Sequence, residues 1–489
     1  MRKTWTILLT LALVWGTAAG CGQKSGKEPS AGLPEESQTL TSAASQDSQE
    51  TKAADQTEDR EWFGTEDGKT VTLRFWGGIQ PEYGYDQLVA DFNEEYKEKG
   101  VQVEYIRYVN DSAGNLQLET YLMGGGEVDM FMNYGKPRLD SRADSNLLLD
   151  MSDMLEERGF DLISELGAAN AEGYVCDDGS VYGFPTKYEN DRWLLINTDM
   201  FRAAGVEIPY DGWTYSQFLE AVEKLTHGEG QDKVYGVSYT LKQSNSGVRG
   251  IMSSVLGKYY IYGDDSASKV NFDHEVWREG LQMVKTSLDK GWAVPIEDEY
   301  SENMTVANTF LAGKCAISTN VSQMRLCMDQ ENYPHDFVTA VVPAPVPDGA
   351  EYQADTYRKH ESVEGAGDVF CIAANTGYPK ACFEFGMWYV QGGMSPLVRG
   401  GRIPLWTGID RAQIIDVLRE SAAGSIDLDS MSNYLSIDNT KGVASVTGST
   451  ANEILDVWKE EFEAMCYGRQ SVDETVANMV LRGNQLAGR

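Results

Sequence analysis

The chain holds 489 residues, of which 42% are hydrophobic and 10% aromatic, enough for a sizeable core in two or three domains or one large two-lobed unit. Lys plus Arg total 41 against 75 Asp plus Glu, a formal charge of −34. That surface repels phosphate backbones and anionic lipid, and only the N-terminus carries a long apolar run, so nucleic-acid binding is disfavoured and a polytopic membrane protein excluded.

Met1–Gly20 reads as a secretory signal. Arg2 and Lys3 form a basic start, Ile7 to Val14 an apolar core, and Thr17-Ala18-Ala19-Gly20 supplies small residues for cleavage. Cys21 follows directly, which resembles a bacterial lipobox whose thiol takes a diacylglyceryl group, with Ala18 where Leu is commoner. Two acyl chains are what stable anchoring requires. Residues 21–61 lack aromatics and are rich in Ser, Thr, Gln, Glu, Ala and Gly, so they read as a flexible tether.

From Thr70 the pattern alternates strands and helices. Val71, Leu73 and Phe75 mark a strand that Trp76-Gly77-Gly78 breaks. Asp86–Lys99 follows as a helix with Leu88, Val89, Phe92 and Tyr96 on one stripe and Gly100 as the stop. Val101–Ile106 is a strand, Leu116–Met123 a helix, and Val128–Met132 a short apolar strand. Gly124-Gly125-Gly126 precedes a strand rather than a helix, so it reads as a helix stop and not a phosphate cradle. This β-α-β-α-β order predicts an α/β lobe with a parallel sheet.

A second lobe begins near residue 190, with a strand at Trp193–Ile196. Thr214-Tyr215-Ser216-Gln217 is a capping box opening a helix, and Val234–Tyr239 alternates as a strand. Asp273 is the expected cap of a helix carrying Val276, Trp277, Leu281, Val284 and Leu288, ended by Gly291. A short helix is expected over Ala307–Ala312, before a strand at Cys315–Ser318. Pro379 suits the first turn of a helix running to Tyr389, and Ser471-Val472-Asp473-Glu474 is a second capping box, starting the last helix.

Signatures of catalysis are weak. His227, His274, His335 and His360 are scattered, with no HExxH, no GxSxG and no GxxxxGK[ST]. No cofactor or metal is expected. Cys176, Cys315, Cys327, Cys371, Cys382 and Cys466 form no CxxC and mostly read as small buried hydrophobes, with one or two disulfides open. What recurs is aromatic and amide residues at the carboxyl ends of predicted strands: Trp76, then Asn133 and Tyr134, then Gln243 and Asn245, then Thr319 and Asn320. Ligands of open α/β sheets bind at those ends. A flat aromatic covers the apolar face of a sugar ring while amides and carboxylates bond its hydroxyls.

In this order, several segments resemble the extracellular sugar-binding proteins of bacterial ATP-driven importers, the maltose-binding-protein-like group. They are Val71–Gly78, Tyr182-Gly183-Phe184-Pro185 with Leu194–Asp199, Ala204-Gly205 with Gly212-Trp213-Thr214 (Trp and Thr reversed), Phe310–Ala316 and Gly468–Glu474. The resemblance implies a two-lobed periplasmic-binding-protein-like (type II) α/β fold with a hinge. It divides the chain into an N-lobe of 62–187 plus 366–408 and a C-lobe of 188–365 plus 409–489. It places Glu189 or Asn190 at the first crossover, Asp368 at the second, Tyr83 and Tyr85 on the loop after the first strand, and Trp76, Asn133 and Asn320 at the cleft. Val321-Ser322-Gln323 stands where a stacking Trp is common, so Trp292 or Trp406 is the substitute, and Arg402 lies on a loop near the rim.

The implied function is that of a lipid-anchored, monomeric binding protein outside the cell. It captures a mono- or oligosaccharide and hands it to the transmembrane subunits of an ABC permease, without catalysis. Three other readings stay open. The same fold could take an amine, polyamine or peptide, which Glu189 and Asp191 would suit. The chain could be a secreted glycosidase, needing two carboxylates at fixed separation, or a lipoprotein that only signals to a membrane sensor.

Overall fold

The first sheet is built on β1 (Val71–Gly77), which pairs in parallel with β2 (Val101–Arg107) along its whole length and with β3 (Met130–Tyr134) at Phe75 and Trp76. The computed structural model describes residues 70–125, 127–176, 178–188, 192–242, 246–263, 267–349, 352, 368–422, 424–436 and 449–487. After β3 come β4 (Phe184–Pro185), β5 (Lys187–Tyr188), β6 (Trp193–Asn197), β7 (Tyr235–Ser238), β8 (Cys315–Ser318), β9 (Thr339–Pro343), β10 (Asp368–Ile372) and β11 (Ile403–Pro404). The first sheet has the order β2-β1-β3-β10-β4, the second β7-β8-β6-β9. β1, β2 and β3 are parallel as their helical crossovers require, while β10 enters antiparallel to β3, so Asp368 faces Tyr134 across the ladder. In the second sheet β7 and β8 are parallel and β6 is antiparallel to both neighbours. A third, two-stranded ladder pairs Tyr188 with Ile403 and Lys187 with Pro404, where two segments cross between the sheets side by side.

The helices follow their stripes. Tyr85–Glu95 buries Tyr85, Leu88 and Phe92, and a separate 3-10 turn covers Lys97–Lys99. The helix expected at 116–123 starts earlier, at Ser112, because the Asp111 carboxylate accepts the Gly114 N–H as a cap, and Gly125 ends it at φ +74°. Both capping boxes form, at Thr214–Gln217 and at Ser471–Glu474. Glu275–Asp289 is capped one residue later than expected, by His274, whose Nδ1 accepts the Val276 N–H. Ala307–Ala312 is a succession of turns rather than a helix. The chain there folds back on itself, with the Lys314 and Leu311 N–H groups bonded to Thr309 and Val306.

Two large apolar clusters hold the molecule. One gathers Ile196, Phe218, Val237, Trp277, Ile317 and the C-terminal helices through Trp458 and Met479. The other starts at Leu73, Phe75 and Phe370 under the first sheet. It continues without a break through Tyr188 and Trp193 into Met324, Cys327 and Met431. A fully buried large side chain contributes about 1.5–3 kcal/mol, so this continuity ties the sheets together on the crossing side. Two helices, Arg411–Ser421 and Leu428–Leu435, contribute to it and bridge both halves: Ile414 and Leu418 pack in the cluster, and Ser430 Oγ accepts the Val341 N–H of β9. Cys315, Cys327, Cys371 and Cys382 are buried free thiols, Cys176 is exposed and Cys466 half-buried.

Candidate functional site

The exits of β1 and β3 are the first candidate wall of a site. Gly77 and Gly78 are required there by their neighbours, because a Cβ on Gly77 would lie 2.5 Å from the Tyr105 hydroxyl and one on Gly78 2.8 Å from the Tyr134 ring. The two tyrosines therefore close directly onto backbone. Gly78 N–H donates to the Tyr134 hydroxyl at 2.8 Å, and the Tyr105 hydroxyl donates to the Ile79 carbonyl at 2.7 Å. Tyr85 stacks on Tyr105 with centroids 4.3 Å apart, and its hydroxyl meets that of Tyr389 at 3.4 Å.

Beneath this tyrosine set lies a buried ion pair. Arg402 Nε donates to Asp368 at 2.8 Å and its Nη1 to the Gly400 carbonyl at 3.1 Å, with both side chains under one-tenth exposed. Burial opposes the guanidinium charge, but the groups around it, Asp368 first among them, together hold the Arg402 pKa above its usual range. Burial likewise pushes the phenols of Tyr85, Tyr105, Tyr134 and Tyr389 upward, so they remain neutral donors. The Asp368 carbonyl accepts the Thr186 N–H, locking the start of β10 to the chain just before the crossing. Arg402, read from sequence as a rim residue, is thus a buried partner of Asp368. Nothing local to Gly401-Arg402 signals a carboxylate 34 positions away.

The second wall is the exit of β7 and β8. Asn320 is 2% exposed. Its Oδ1 accepts from Ser322 at 2.6 Å, while its Nδ2 is buried with no partner. Thr240 sits in the left-handed region at φ +49°, and its buried hydroxyl also has none. The Thr319 hydroxyl donates to the Tyr239 carbonyl at 2.9 Å, joining the two exits.

The other expected residues divide. Trp76 lies on the strand face opposite Phe75, is 5% exposed, and donates from its indole to the Glu127 carbonyl at 2.9 Å. Asn133 is fully buried and both ends of its amide are taken, Oδ1 by Arg142 at 2.6 Å and Nδ2 by the Gly135 carbonyl at 2.9 Å. Strand alternation turns both inward, and Arg142, whose other nitrogen reaches Asn115 and Glu119, is what fixes Asn133. Tyr83 donates to Asp329 at 2.6 Å from beneath the Arg325 guanidinium, so it links the two halves. Burial and then the Asp329 bond raise its pKa to about 12. Trp406 is half-buried beside the crossing ladder and donates to Glu165 at 2.7 Å. Trp292 accepts the Gly236 N–H at the N-terminal end of β7, away from the exit. Glu189, Asn190, Asp191, Gln243, Asn245 and Cys21 lie outside the described residues. Among the described residues, no group of three or more His, Cys, Asp or Glu is placed to hold a metal ion, and no helix is long and apolar enough to cross a membrane.

The fold recurs in solved structures. A sugar transporter of Rhizobium etli in an open conformation superposes with a TM-score of 0.61 at 18% identity, over 85% of this chain and 99% of that one. An ABC substrate-binding protein of Listeria monocytogenes in complex with cycloalternan gives 0.59 at 17% over 85% and 98%. The sugar-binding protein MalE of Xanthomonas citri gives 0.58 at 17% over 85% and 97%. No curated protein matches the chain in sequence. The family of bacterial extracellular solute-binding proteins matches residues 87–392, from the first helix beyond β1 through both sheets to the turn after β10's helix. With that match across well over half its length and a two-lobed architecture, the chain belongs to the bacterial extracellular solute-binding proteins.

Proposed function

We propose that this chain captures a carbohydrate, a mono- or oligosaccharide, between the β1/β3 and β7/β8 exits and delivers it to the transmembrane subunits of an ABC permease. The observation that carries the reading is the pairing of walls: neutral tyrosine rings on one side, and Asn320 Nδ2, which has no partner, on the other. A sugar offers what these groups lack, hydroxyls that accept from an amide and an apolar face that covers a ring. Two buried cationic groups behind the first wall, Arg402 and Arg142, are engaged by Asp368 and Glu119, which fits a neutral ligand better than an anionic one. The cycloalternan held by the Listeria protein of the same fold supports the class.

In this reading Tyr83, Tyr134, Asn320, Asp368 and Trp406 line or brace the cleft, and Glu189, Asn190 and Asn245 complete the set of ligand-binding residues. Trp76 and Asn133 support the first wall from behind. The lobes divide as 62–187 plus 366–408 and 188–365 plus 409–489, the hinge passing through the β5–β11 ladder. Residues 1–20 are the signal peptide, and a diacylglyceryl group on Cys21 with the 21–61 tether holds the monomer at the outer face of the cell membrane. The chain performs no chemistry on its cargo.

A thermal-shift screen of the chain from about residue 61 onward, against mono- and oligosaccharides, amines and short peptides, tests this. A ligand at 100 times its dissociation constant adds about 2.7 kcal/mol. Stabilisation by one glycan class, with the glycan recovered intact, is the expected result. Stabilisation only by amines or peptides overturns the carbohydrate assignment, and a shortened glycan overturns the absence of catalysis.

A further inference from the structure

The turn that leaves β7 is held from behind by a carboxyl group that the cleft does not use. Glu299, on the short helix Ile296–Ser301, is 1% exposed. Its Oε1 accepts from the Ser238 hydroxyl and its Oε2 from the Lys242 N–H, each at 3.4 Å. The N–H groups of Leu241 and Thr240 bear on the same carboxyl. Thr240 is the residue in the left-handed region, where a non-glycine side chain costs about 1 kcal/mol or more unless its surroundings hold it. Successive N–H groups converging on one buried carboxyl are such a hold.

The groups around Glu299 do not neutralise it. Lys242 sends its ammonium to the Tyr300 carbonyl at 3.2 Å. Cys315 of β8 and Cys466 of the helix Ser449–Cys466 face it as thiols that burial keeps protonated. Tyr300 donates to Glu463, and Glu297 with Glu463 adds further negative charge near Cys466. Burial therefore raises the Glu299 carboxyl to about 7, against the pull of the three N–H groups and Ser238.

We propose that Glu299 is the positioning residue of the second wall: it sets the Tyr239–Lys242 turn, and the proton it carries decides how firmly that turn is held. Opening the turn admits water to the carboxyl and removes the burial that outweighs the N–H groups, so the closed turn is the arrangement that binds the proton more tightly; by linkage it gains as pH falls and loosens as pH rises through neutrality. This rests on the cleft reading only for its bearing on ligand, since the turn itself is read without one.

Amide hydrogen exchange of the full folded chain tests it, followed over residues 239–242 at pH 5.5 and 8.0 and corrected for the intrinsic pH dependence of exchange. The wild-type turn should open on the order of tenfold more at pH 8.0 than at pH 5.5. Glu299→Gln, which cannot ionise, should abolish that difference while the core strands keep their protection. Glu299→Ala should open the turn at both pH values. Equal wild-type opening at the two pH values overturns the proposal, even if neither variant folds. An undiminished difference in Glu299→Gln overturns it too. No sugar enters the measurement, so failure here and failure of the carbohydrate assignment are separable.

Discussion

The two walls of the proposed cleft are built on opposite plans. At the β1/β3 exit the described polar groups each have a partner: Tyr134 accepts from Gly78, Tyr105 donates to Ile79, and Asn133 is gripped by Arg142. At the β7/β8 exit two buried groups, Asn320 Nδ2 and Thr240 Oγ1, have nothing to bond. A buried polar group without a partner costs about 1–3 kcal/mol. The bonded groups of one wall thus contribute to stability, and the two partnerless groups of the other give some up. A protein that must bind a solute gains from that division, because a finished surface supplies shape and an unfinished one supplies demand.

Four measurements break or sharpen this contrast. The largest effect belongs to Asp368→Ala, which strands Arg402 in the core beneath the finished wall. A loss of about 3–5 kcal/mol in chemical denaturation is expected, and a loss under about 1 kcal/mol would mean the wall does not depend on the pair. Next, Glu299→Gln tests the support behind the unfinished wall. The folded pKa lies above the ordinary carboxylate value, so the contribution of Glu299 is present below about pH 4.5 and lost as pH rises through about 7. Relative to Glu299→Gln, wild type should lose about 3 kcal/mol between pH 4 and pH 8; parallel stability curves would refute this.

Asn320→Ala should lower affinity for the glycan found in the screen by roughly tenfold, read by calorimetry, yet leave stability unchanged or raised. A loss of stability without loss of affinity would move Asn320 from the binding surface to the scaffold. The smallest effect is expected far from both walls. Arg202→Ala removes an exposed pair with Asp199 and should change stability by under about 0.5 kcal/mol.

What was legible in the sequence follows from the range of the interactions. The Thr214 and Ser471 capping boxes are local, three residues wide, and both are present. The α/β order and the parallel first three strands follow from periodicity and connection length. The turn at Ala307–Ala312 mimics a helix in composition, and its register is set instead by Thr305 and Thr309 hydroxyl and backbone bonds. The site was harder to read. Strand ends could be located, but which face of a strand end meets the cleft depends on partners across the sheet. Trp76 and Asn133 turn inward for that reason, and the Tyr105 and Arg402 contributions arise from residues 26 and 34 positions from their partners. Glu299 is one carboxylate among many in the sequence, and only burial distinguishes it.

The buried cysteines can serve as a clock. Cys371 lies in the middle of the first sheet, whereas Cys327 lies in the apolar seam that runs from one half of the molecule to the other. Both are protonated and shielded, so neither reacts with a thiol reagent until the protein opens around it. If Cys327 is alkylated well before Cys371, the halves separate as units and the seam parts first. If the two react together, the molecule comes apart only as a whole, and the hinge works without breaking the seam.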